Sequence, residues 1–450
     1  MEWERVIRFV IRPRVRAVLA WAAVSVAAAI AFYLAWTGYD HPERPDGNIG
    51  HIYIDFAGQW LMGRMLARGE GRSLYDLPRL RQALREAYPP ADADAVYNWL
   101  IESPDRPGVG GPLYPPIQAL FFYPLGLLPP QTAYRIVQVV NFILTFVVGF
   151  IAWKLTRGNV WPAVAAGALM AFPGYAGAIC LGQNPLISLA LLAFGWLLTA
   201  RGRPWLGGIV WGLLAFKPVW AASFFLVPLL ARRWRMAAAM LLTGLALALL
   251  TLPFVGWRTW MDWLTVGRAA SAHYAMDEPW IFLSRDLQGI PRRYLLDFTA
   301  DGIAANPDRP LPNFIGIGLW LTVVGLTVLL ARWRWRRPAG VDGPAAAFLM
   351  LGAWLGCFHF MYYDTLLAAL PVCLLFTGPI RWWFRDPITT TLLVLLIALP
   401  HAADGVDYLR TGGRPTYHSP PFDTFCLLAL WAWCGWQWLG IGTGNPSVAR

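Results

Sequence analysis

Apolar segments long enough to cross a bilayer recur along this chain and constrain its fold more than any other feature. The clearest runs lie at 15–36, 131–153, 236–255, 312–331 and 422–440. Each run approaches the ~20 residues that a helix needs to cross ~30 Å of hydrocarbon. Inside lipid the backbone must satisfy its own hydrogen bonds, which a helix does. We therefore predict an all-α polytopic membrane protein with roughly ten to twelve membrane helices.

Composition agrees with a membrane location and argues against a nucleic-acid partner. The chain is 57% hydrophobic and only 14% charged, whereas soluble domains carry roughly 25% charged residues. The net charge of +11 is spread over short loops, without a basic domain or a DNA- or RNA-binding motif. The net positive charge is explained by the retention of Lys and Arg on the cytoplasmic side of a membrane. We predict membrane lipids, and no nucleic acid, as partners.

The basic clusters also predict the orientation in the membrane. A basic flank precedes the first apolar run, which is too long for a signal-peptide core, so we expect an uncleaved first helix and a cytoplasmic N-terminus. The long polar segments 37–112 and 256–311, and the shorter 403–421, then lie outside. We treat 1–450 as one integral domain of the cell (inner) membrane. The other predicted cytoplasmic clusters are Arg201/Arg203, Arg232/Arg233/Arg235, Arg332 to Arg337, and Arg381/Arg385.

Two segments leave the helix count open. Residues 116–128 are apolar but short, and a Pro-Pro break separates them from the span 131–153. If 116–128 and 131–153 both cross the membrane, Lys154 lies outside. The tendency of short helices to pair favours this arrangement. If 116–128 only enters the membrane, Lys154 lies inside, as the positive-inside rule favours. The segment 205–230 has the same ambiguity, because a Lys-Pro pair divides it at Lys217.

The first outer loop is predicted to be structured. Its segment 54–68 has approximate helical periodicity, which is typical of an amphipathic helix on the membrane surface. A second short helix is expected over 77–87, and the Pro-, Gly- and Asp-rich stretch 89–112 is expected to be loop. The apolar face of the first helix comprises Phe56, Trp60, Leu61, Met65 and Leu66, with Gln59, Arg64 and Arg68 mostly off it.

Asp55 stands at the head of that first helix and allows two interpretations. Asp is a preferred N-cap that satisfies the first amides of a helix, and the local sequence alone favours this structural role. Alternatively, a carboxylate held at the membrane surface could remove the proton from a hydroxyl as that hydroxyl attacks a lipid-linked substrate.

Lys217 and the pair Gln183/Asn184 are further candidates. Lys217 lies between apolar runs in AFKPVW, where a buried ammonium is costly and indicates function. It could neutralise a phosphate, or it could be a snorkelling residue at a helix end. Gln183 and Asn184 lie in CLGQNPL, where Gly and Pro mark a turn. Their amides could instead hydrogen-bond a sugar or a phosphate.

Other polar residues lie where apolar segments begin or end. His359, Tyr363 and Asp364 occur in HFMYYDTLL and could form a polar site or proton relay, although a lone His is more often a satisfied polar residue. Tyr114 precedes two prolines and marks either a rigid turn or a site residue. Arg135, near the start of a span, could face a lipid phosphate or anchor the helix end.

The sequence lacks the motifs of several common kinds of functional site. It contains no Walker loop, no metal-ligand motif and no soluble domain for a nucleotide-sugar donor. The five cysteines lie in or beside apolar segments, so we predict no disulfide framework. We therefore predict no cofactor and no metal site. An enzyme built this way would take a donor that is already embedded in the membrane.

Motifs follow one another in a characteristic order after the first helix. The motifs are Asp55-Phe56, GEGRSLYD at 69–76, YPPIQALFFYPLGLLPP at 114–130, LGQNPLISLALL at 181–192, GGIVWGLLAFKP at 207–218, RRWR at 232–235 and HFMYYDTLLAALPVCLL at 359–375. This order, over roughly 15–377, resembles glycosyltransferase family 87, the polyprenyl-phosphate-mannose-dependent alpha-mannosyltransferases with the GT-C membrane fold.

The resemblance implies a GT-C-like helix bundle and inverting transfer of a sugar, mannose in that family, from a polyprenyl phosphate to an acceptor hydroxyl. The acceptor would be a glycan or glycolipid on the extracytoplasmic side. An Asp in the first outer loop is the general base of such enzymes, and Asp55 matches that position. Lys217 and Arg135 would offset the charge of the leaving lipid phosphate. Further candidates for binding the donor are Gln183, Asn184 and Tyr114.

Two other classes remain as alternatives. A transporter or flippase for a lipid-linked sugar would use charges such as Lys217 and Asp364 to line a pathway. Transporters often contain two related halves, and this sequence shows no internal symmetry. A non-catalytic membrane scaffold would leave the ordered motifs around Asp55, Gln183 and Lys217 unexplained.

Overall fold

Helices dominate the structure. The computed structural model describes residues 13–38, 52, 54–94, 102–103, 106–107, 112–334, 339–378, 386–410 and 419–440. Strand structure within these ranges is limited to three isolated bridges and a two-residue antiparallel ladder of Glu102–Ser103 with Arg106–Pro107. The predicted all-α class is confirmed. The predicted basic residues before residue 13, those at Arg336/Arg337 and those at Arg381/Arg385 lie outside the described residues.

Half of the described helices begin at a proline, because the first helical position needs no N–H donor and suits the fixed φ of proline. We number them in chain order within the described residues. They are α1 (Pro13–Thr37), α2 (Asp55–Ala67), α3 (Leu77–Ala87), α4 (Pro116–Gly126), α5 (Pro130–Leu155), α6 (Pro162–Met170), α7 (Tyr175–Cys180), α8 (Pro185–Ala200), α9 (Pro204–Gly212), α10 (Pro218–Leu230), α11 (Trp234–Met276), α12 (Glu278–Leu283), α13 (Gly289–Leu295), α14 (Pro310–Trp333), α15 (Gly343–Leu355), α16 (Ala369–Leu374), α17 (Pro387–Arg410) and α18 (Phe422–Leu439). Short 3₁₀ segments lie at Gly71–Ser73, Leu213–Phe216, Tyr362–Ala368 and Leu375–Thr377.

The bundle contains both long and short apolar helices. Among the described residues, 5 helices are long and apolar enough to cross a membrane, namely α1, α5, α11, α14 and most of α17. Five other apolar stretches are only 10–17 residues long. A helix of 13 residues spans about 20 Å, less than the ~30 Å hydrocarbon core. The polytopic prediction is confirmed, and the short stretches are Pro185–Ala200, Pro204–Phe216, Pro218–Leu230, Gly343–Leu355 and Tyr362–Thr377.

Several short helices start or end at one common face. Arg157, just after α5, hydrogen-bonds Asp342, just before α15. Trp196 in the last turn of α8 donates to the carbonyl oxygen of Val341 at 2.7 Å. The guanidinium of Arg233, just before α11, lies 5.4 Å from the Trp196 ring centroid. Because Arg residues cluster here, we call this end of the bundle the arginine face.

The short helices form hairpins whose tips lie away from the arginine face. Residues 204–216 run to Lys217, and α10 returns from it to the arginines before α11. In the same way α15 runs away from the arginine face, and residues 362–377 return to it, since Asn159 donates to the carbonyl of Thr377 at 3.0 Å. Helix α8 starts at the Gln183-Asn184 turn and descends to Arg201. Three polar tips therefore lie about 20–24 Å above the arginine face.

The structure shows how the two segments that the sequence left open are folded. Helix α4 has 11 residues and spans about 16 Å, which is too short to cross the ~30 Å hydrocarbon core. Helix α5 has 26 residues, and Lys154 lies at its end near Arg157, at the arginine face. The second open segment, 205–230, folds as a hairpin with Lys217 at its tip.

The helix of the first loop is more buried than its periodicity predicted. Helix α2 packs along α4, and nine of its 13 residues are buried, Gln59 among them. The prediction that Gln59 lies off the buried face is wrong, because α4 and the Gly182 turn cover that side of the helix. Helix α3 does have a single apolar face, formed by Leu80, Ala83 and Leu84, and Asp76 caps it.

Two glycines allow α2 and α4 to touch. A Cβ atom on Gly63 would lie 2.2 Å from the carbonyl oxygen of Phe122, and one on Gly126 would lie 2.2 Å from the Gly63 backbone. We expect Gly63→Ala to destabilise the protein by about 1–3 kcal/mol or more, because backbone must move to admit the methyl group. Gly58→Ala is the matched control on the same helix, since nothing lies within 4 Å of its added Cβ.

Thermal unfolding in detergent measures the stability of both glycine variants. Gly58→Ala should equal or slightly exceed wild type in stability, because Ala favours a helix by about 1 kcal/mol over Gly. Equal unfolding temperatures for Gly63→Ala and Gly58→Ala would contradict close α2–α4 packing.

The segment 256–311 begins as a continuation of α11. The backbone of Gly256 breaks the helix with φ 74° and ψ 166°, angles that favour glycine, and helical structure resumes to Met276. The part after the break packs on the first loop, where the Thr259 hydroxyl donates to the carbonyl of Arg72 at 3.2 Å. The segment 256–311, expected as loop, therefore contains the end of α11 together with α12 and α13.

Candidate active site

Asp55 is the first residue of α2, and its carboxylate does not cap the helix. The N-cap is Ile54, with extended angles of φ −122° and ψ 165°. The Asp55 side chain instead hydrogen-bonds the side chain of Gln183. Asp55 is exposed to solvent, yet desolvation by surrounding protein raises the pKa of its carboxyl group. A solvent-accessible group that protein nevertheless encloses lines a concave site, where a general base with a raised pKa can work.

Gln183 joins the tips of two hairpins to the first loop. Its Oε1 accepts a hydrogen bond from the hydroxyl of Tyr114 at 2.9 Å, and its Nε2 donates to the hydroxyl of Tyr363 at 3.1 Å. The Gln183 side chain is completely buried. The structure thus brings together four residues that the sequence singled out separately, Asp55, Tyr114, Gln183 and Tyr363.

A second layer of buried amides lies behind Gln183. The Oε1 atom of Gln59 accepts from Gln118 at 2.8 Å and from Asn184 at 3.2 Å, and all three side chains are buried. The Gln59 Nε2 donates to the carbonyl of Gly182 at 3.3 Å. Sequence reasoning missed Gln59 and Gln118. Gln59 follows Asp55 by one helical turn, which is a usable signal, whereas Gln118 has no local signal.

Lys217 is held by a carboxylate from the neighbouring hairpin. Its Nζ lies 2.7 Å and 2.9 Å from the two carboxylate oxygens of Asp364, and both residues are buried. Trp354 fixes the Asp364 backbone through a bond of 3.2 Å to its carbonyl oxygen. Both charges act electrostatically on Asp55, which places the ion pair in the same site. The sequence indicated both residues but not their pairing.

His359 pairs with a carboxylate that the sequence analysis did not identify. Its Nδ1 lies 3.0 Å from Asp286, and its ring centroid lies 3.5 Å from that of Tyr274. Burial alone would raise the pKa of Asp286, but hydrogen bonds from His359, Ser284 and the Gly289 N–H lower it below its ordinary value. Tyr274 interacts electrostatically with Asp55, Asp364 and Asp286, so it links the two carboxylate clusters.

Arg135 forms its hydrogen bonds with residues outside these clusters. Its guanidinium donates to the carbonyl oxygen of Trp36 at the end of α1 and to Gln138 at 3.1 Å, and it lies 4.0 Å from the Trp36 ring centroid. These contacts match the helix-anchor interpretation. The described ranges contain no group of three or more His, Cys, Asp or Glu side chains that could hold a metal ion.

Comparisons with known proteins identify the family. The family model "Glycosyltransferase family 87" matches residues 113–360, which is more than half of the chain. The chain is 27% identical over 307 residues to an alpha-(1->3)-arabinofuranosyltransferase of Corynebacterium glutamicum, and this match covers 62% of the chain and 66% of the relative. The match thus spans just under two thirds of the relative's length. No solved structure matches the chain. The chain belongs to glycosyltransferase family 87.

Proposed function

We propose that this protein transfers a sugar from a polyprenyl phosphate to an acceptor hydroxyl, with Asp55 as the general base. The observation that supports this most strongly is the convergence of Asp55 with the polar hairpin tips at Gln183, Lys217 and Asp364. A carboxylate of raised pKa beside a buried cation fits the deprotonation of an alcohol next to an anionic leaving group.

In the proposed step the acceptor oxygen attacks the anomeric carbon while its proton passes to Asp55. The bond between the anomeric carbon and the phosphate oxygen breaks, and its electron pair leaves with the polyprenyl phosphate. Attack opposite the leaving group inverts the anomeric configuration. The proton on Asp55 then passes to solvent, to which the residue is open.

The leaving phosphate needs positive charge or N–H donors. Lys217 directs two of its three N–H groups at Asp364, which leaves one for a phosphate oxygen. His359 can add a second donor only as an imidazolium, because its Nδ1 already faces the Asp286 carboxylate. Its Nε2 is a buried atom without a hydrogen-bond partner in the described part of the chain. We give Arg135 no part in this step, because its guanidinium is bonded at the end of α1.

The proposal has two versions, which differ in the sugar of the donor. The family resemblance favours a mannosyl donor, whereas the corynebacterial relative is named as an arabinofuranosyltransferase. Purified protein should be given labelled polyprenyl-phosphate-mannose and polyprenyl-phosphate-arabinofuranose in parallel, with a mixed glycolipid and glycan acceptor extract. A new glycosidic bond from either donor supports the function and identifies the sugar. If the intact donor crossed the membrane of proteoliposomes and no glycosidic bond formed, the result would support a flippase instead.

The arginine face gives the proposal its orientation. Arg157, Arg201 and Arg233 lie there, and the positive-inside rule supports a cytoplasmic location for this face, with Asp55 outside, at a cell membrane. Membrane-impermeant maleimide applied to intact cells should label exposed Ser271→Cys but not exposed Ala200→Cys. The reverse pattern would invert the orientation.

The pH dependence of transfer follows from the environment of Asp55. The base works only when ionised, and burial raises its pKa above the ordinary value for Asp. Activity should therefore be complete above the raised pKa and fall as the pH drops through it. Initial rates from pH 4 to 8, with folding checked at each pH, measure this acid limb. A rate that stays constant down to the ordinary pKa of Asp, about 4, would contradict a base with a raised pKa.

A further inference from the structure

The hydrogen bonds of Gln183 are fully used within the protein. A glutamine side chain has two N–H donors and an oxygen with two lone pairs. One N–H reaches Tyr363 and the other serves the Asp55 carboxylate. The oxygen accepts from the Tyr114 hydroxyl at 2.9 Å and from the Asn184 backbone N–H at 3.3 Å. No donor or acceptor of this buried side chain is left for a sugar or a phosphate.

We propose that Gln183 is a positioning residue, which holds the Asp55 carboxylate in the orientation for proton transfer and does not touch the donor. This inference rests on the proposed role of Asp55 as base. It replaces the expectation, drawn from the sequence, that the Gln183 amide binds the donor.

The surroundings of Gln183 fix which end of its amide faces Asp55. The backbone N–H of Asn184 and the hydroxyl of Tyr114 both need an acceptor, so the amide oxygen turns toward them. The amide nitrogen is thereby directed at Asp55 and Tyr363. In addition, the Asn141 side chain donates to the Gln183 backbone carbonyl at 3.2 Å, which holds the turn itself.

A second connection joins the same two elements. Gln59 in α2 donates both to the Asp55 carbonyl and to the Gly182 carbonyl, each at 3.3 Å, and it accepts from Asn184 at 3.2 Å. The start of α2 and the turn at 182–184 are thus fastened at two points. Gln183 is the connection that reaches the carboxylate, so its loss should change the titration of Asp55 more than the position of α2.

A positioning role and a binding role predict different kinetics. Loss of a hydrogen bond to a charged group disfavours the ionised carboxylate, so the acid limb of kcat should move to higher pH by about one to two units. The KM for the donor should stay within about twofold of wild type. If Gln183 bound the donor, KM would rise and the acid limb would stay in place.

The test is the pH profile of kcat and KM for wild type, Gln183→Met and Gln183→Glu. Met removes the donor at similar size, and Glu keeps both acceptor contacts but places a second carboxylate beside Asp55, which should move the limb further. Gln138→Met is the matched control. Gln138 is another buried amide, bonded to the Ala35 carbonyl and Arg135, so its loss should destabilise the fold without moving the limb.

The outcomes separate this inference from the proposed function. An upward shift in both Gln183 variants, absent in Gln138→Met, supports positioning. An unmoved limb in either folded Gln183 variant, or an equal shift in Gln138→Met, overturns it. If wild type has an acid limb that persists in Asp55→Asn, the base assignment itself has failed, and the Gln183 inference with it.

Discussion

Asp55→Asn should lower kcat for sugar transfer by about 10²–10⁴-fold, the range that a positioned general base contributes. Asn keeps the size of Asp and an oxygen that can accept from Gln183, but it cannot take up the proton. The start of α2 should be unaffected, because Ile54 occupies the N-cap position. Initial rates at saturating donor, with the unfolding temperature recorded in parallel, measure the effect.

Asp301→Asn provides the matched control for this substitution. Asp301 is an exposed carboxylate of the segment 256–311, so the same loss of charge should leave kcat and stability near wild type. If Asp55→Asn turned over at the rate of Asp301→Asn, another group would have to accept the acceptor proton.

Lys217→Met should destabilise the protein by about 3–5 kcal/mol, because it leaves Asp364 as a buried charge without its partner. The double variant with Asp364→Asn removes both charges and should recover most of that stability. Unfolding in detergent of the wild type, both single variants and the double variant gives the coupling between the two side chains.

An exposed ion pair serves as the control for this cycle. Arg85 and Asp94 lie 2.6 Å apart at the surface of the first loop, where solvent and salt screen them. Arg85→Met should therefore cost less than Lys217→Met, and an equal cost would show that burial of the Lys217 pair does not matter. A stable but inactive double variant would show that the Lys217–Asp364 pair also acts in transfer.

The sequence predicted the elements that depend on local properties. The Lys-Pro pair at Lys217 ends one short helix and starts another, because the residue before proline is excluded from helical angles. The same reasoning placed a turn at Gln183, between a glycine and a proline. Such breaks in apolar segments identified the hairpin tips. Most of the polar residues that converge near Asp55 lie at these tips and were identified with them.

What the sequence could not predict depends on tertiary contacts. Lys217 and Asp364 are 147 residues apart, and nothing local indicates that their hairpins are neighbours. Gln59 looked solvent-facing because the helical pattern of α2 cannot reveal that α4 covers its polar side. Asp286 lies in a segment without a recognised motif, and its importance arises only from the contact with His359.

The buried ion pair has a consequence for biosynthesis. Lys217 leaves the ribosome 147 residues before Asp364. At about 5–20 residues per second, its hairpin exists for roughly 7–30 s before the partner is made. During that interval a charged ammonium must stay hydrated or near the headgroups, because lipid gives it no partner. The tip of this hairpin therefore settles at its final depth only after the second hairpin inserts, so the site is completed late in the assembly of the nascent chain.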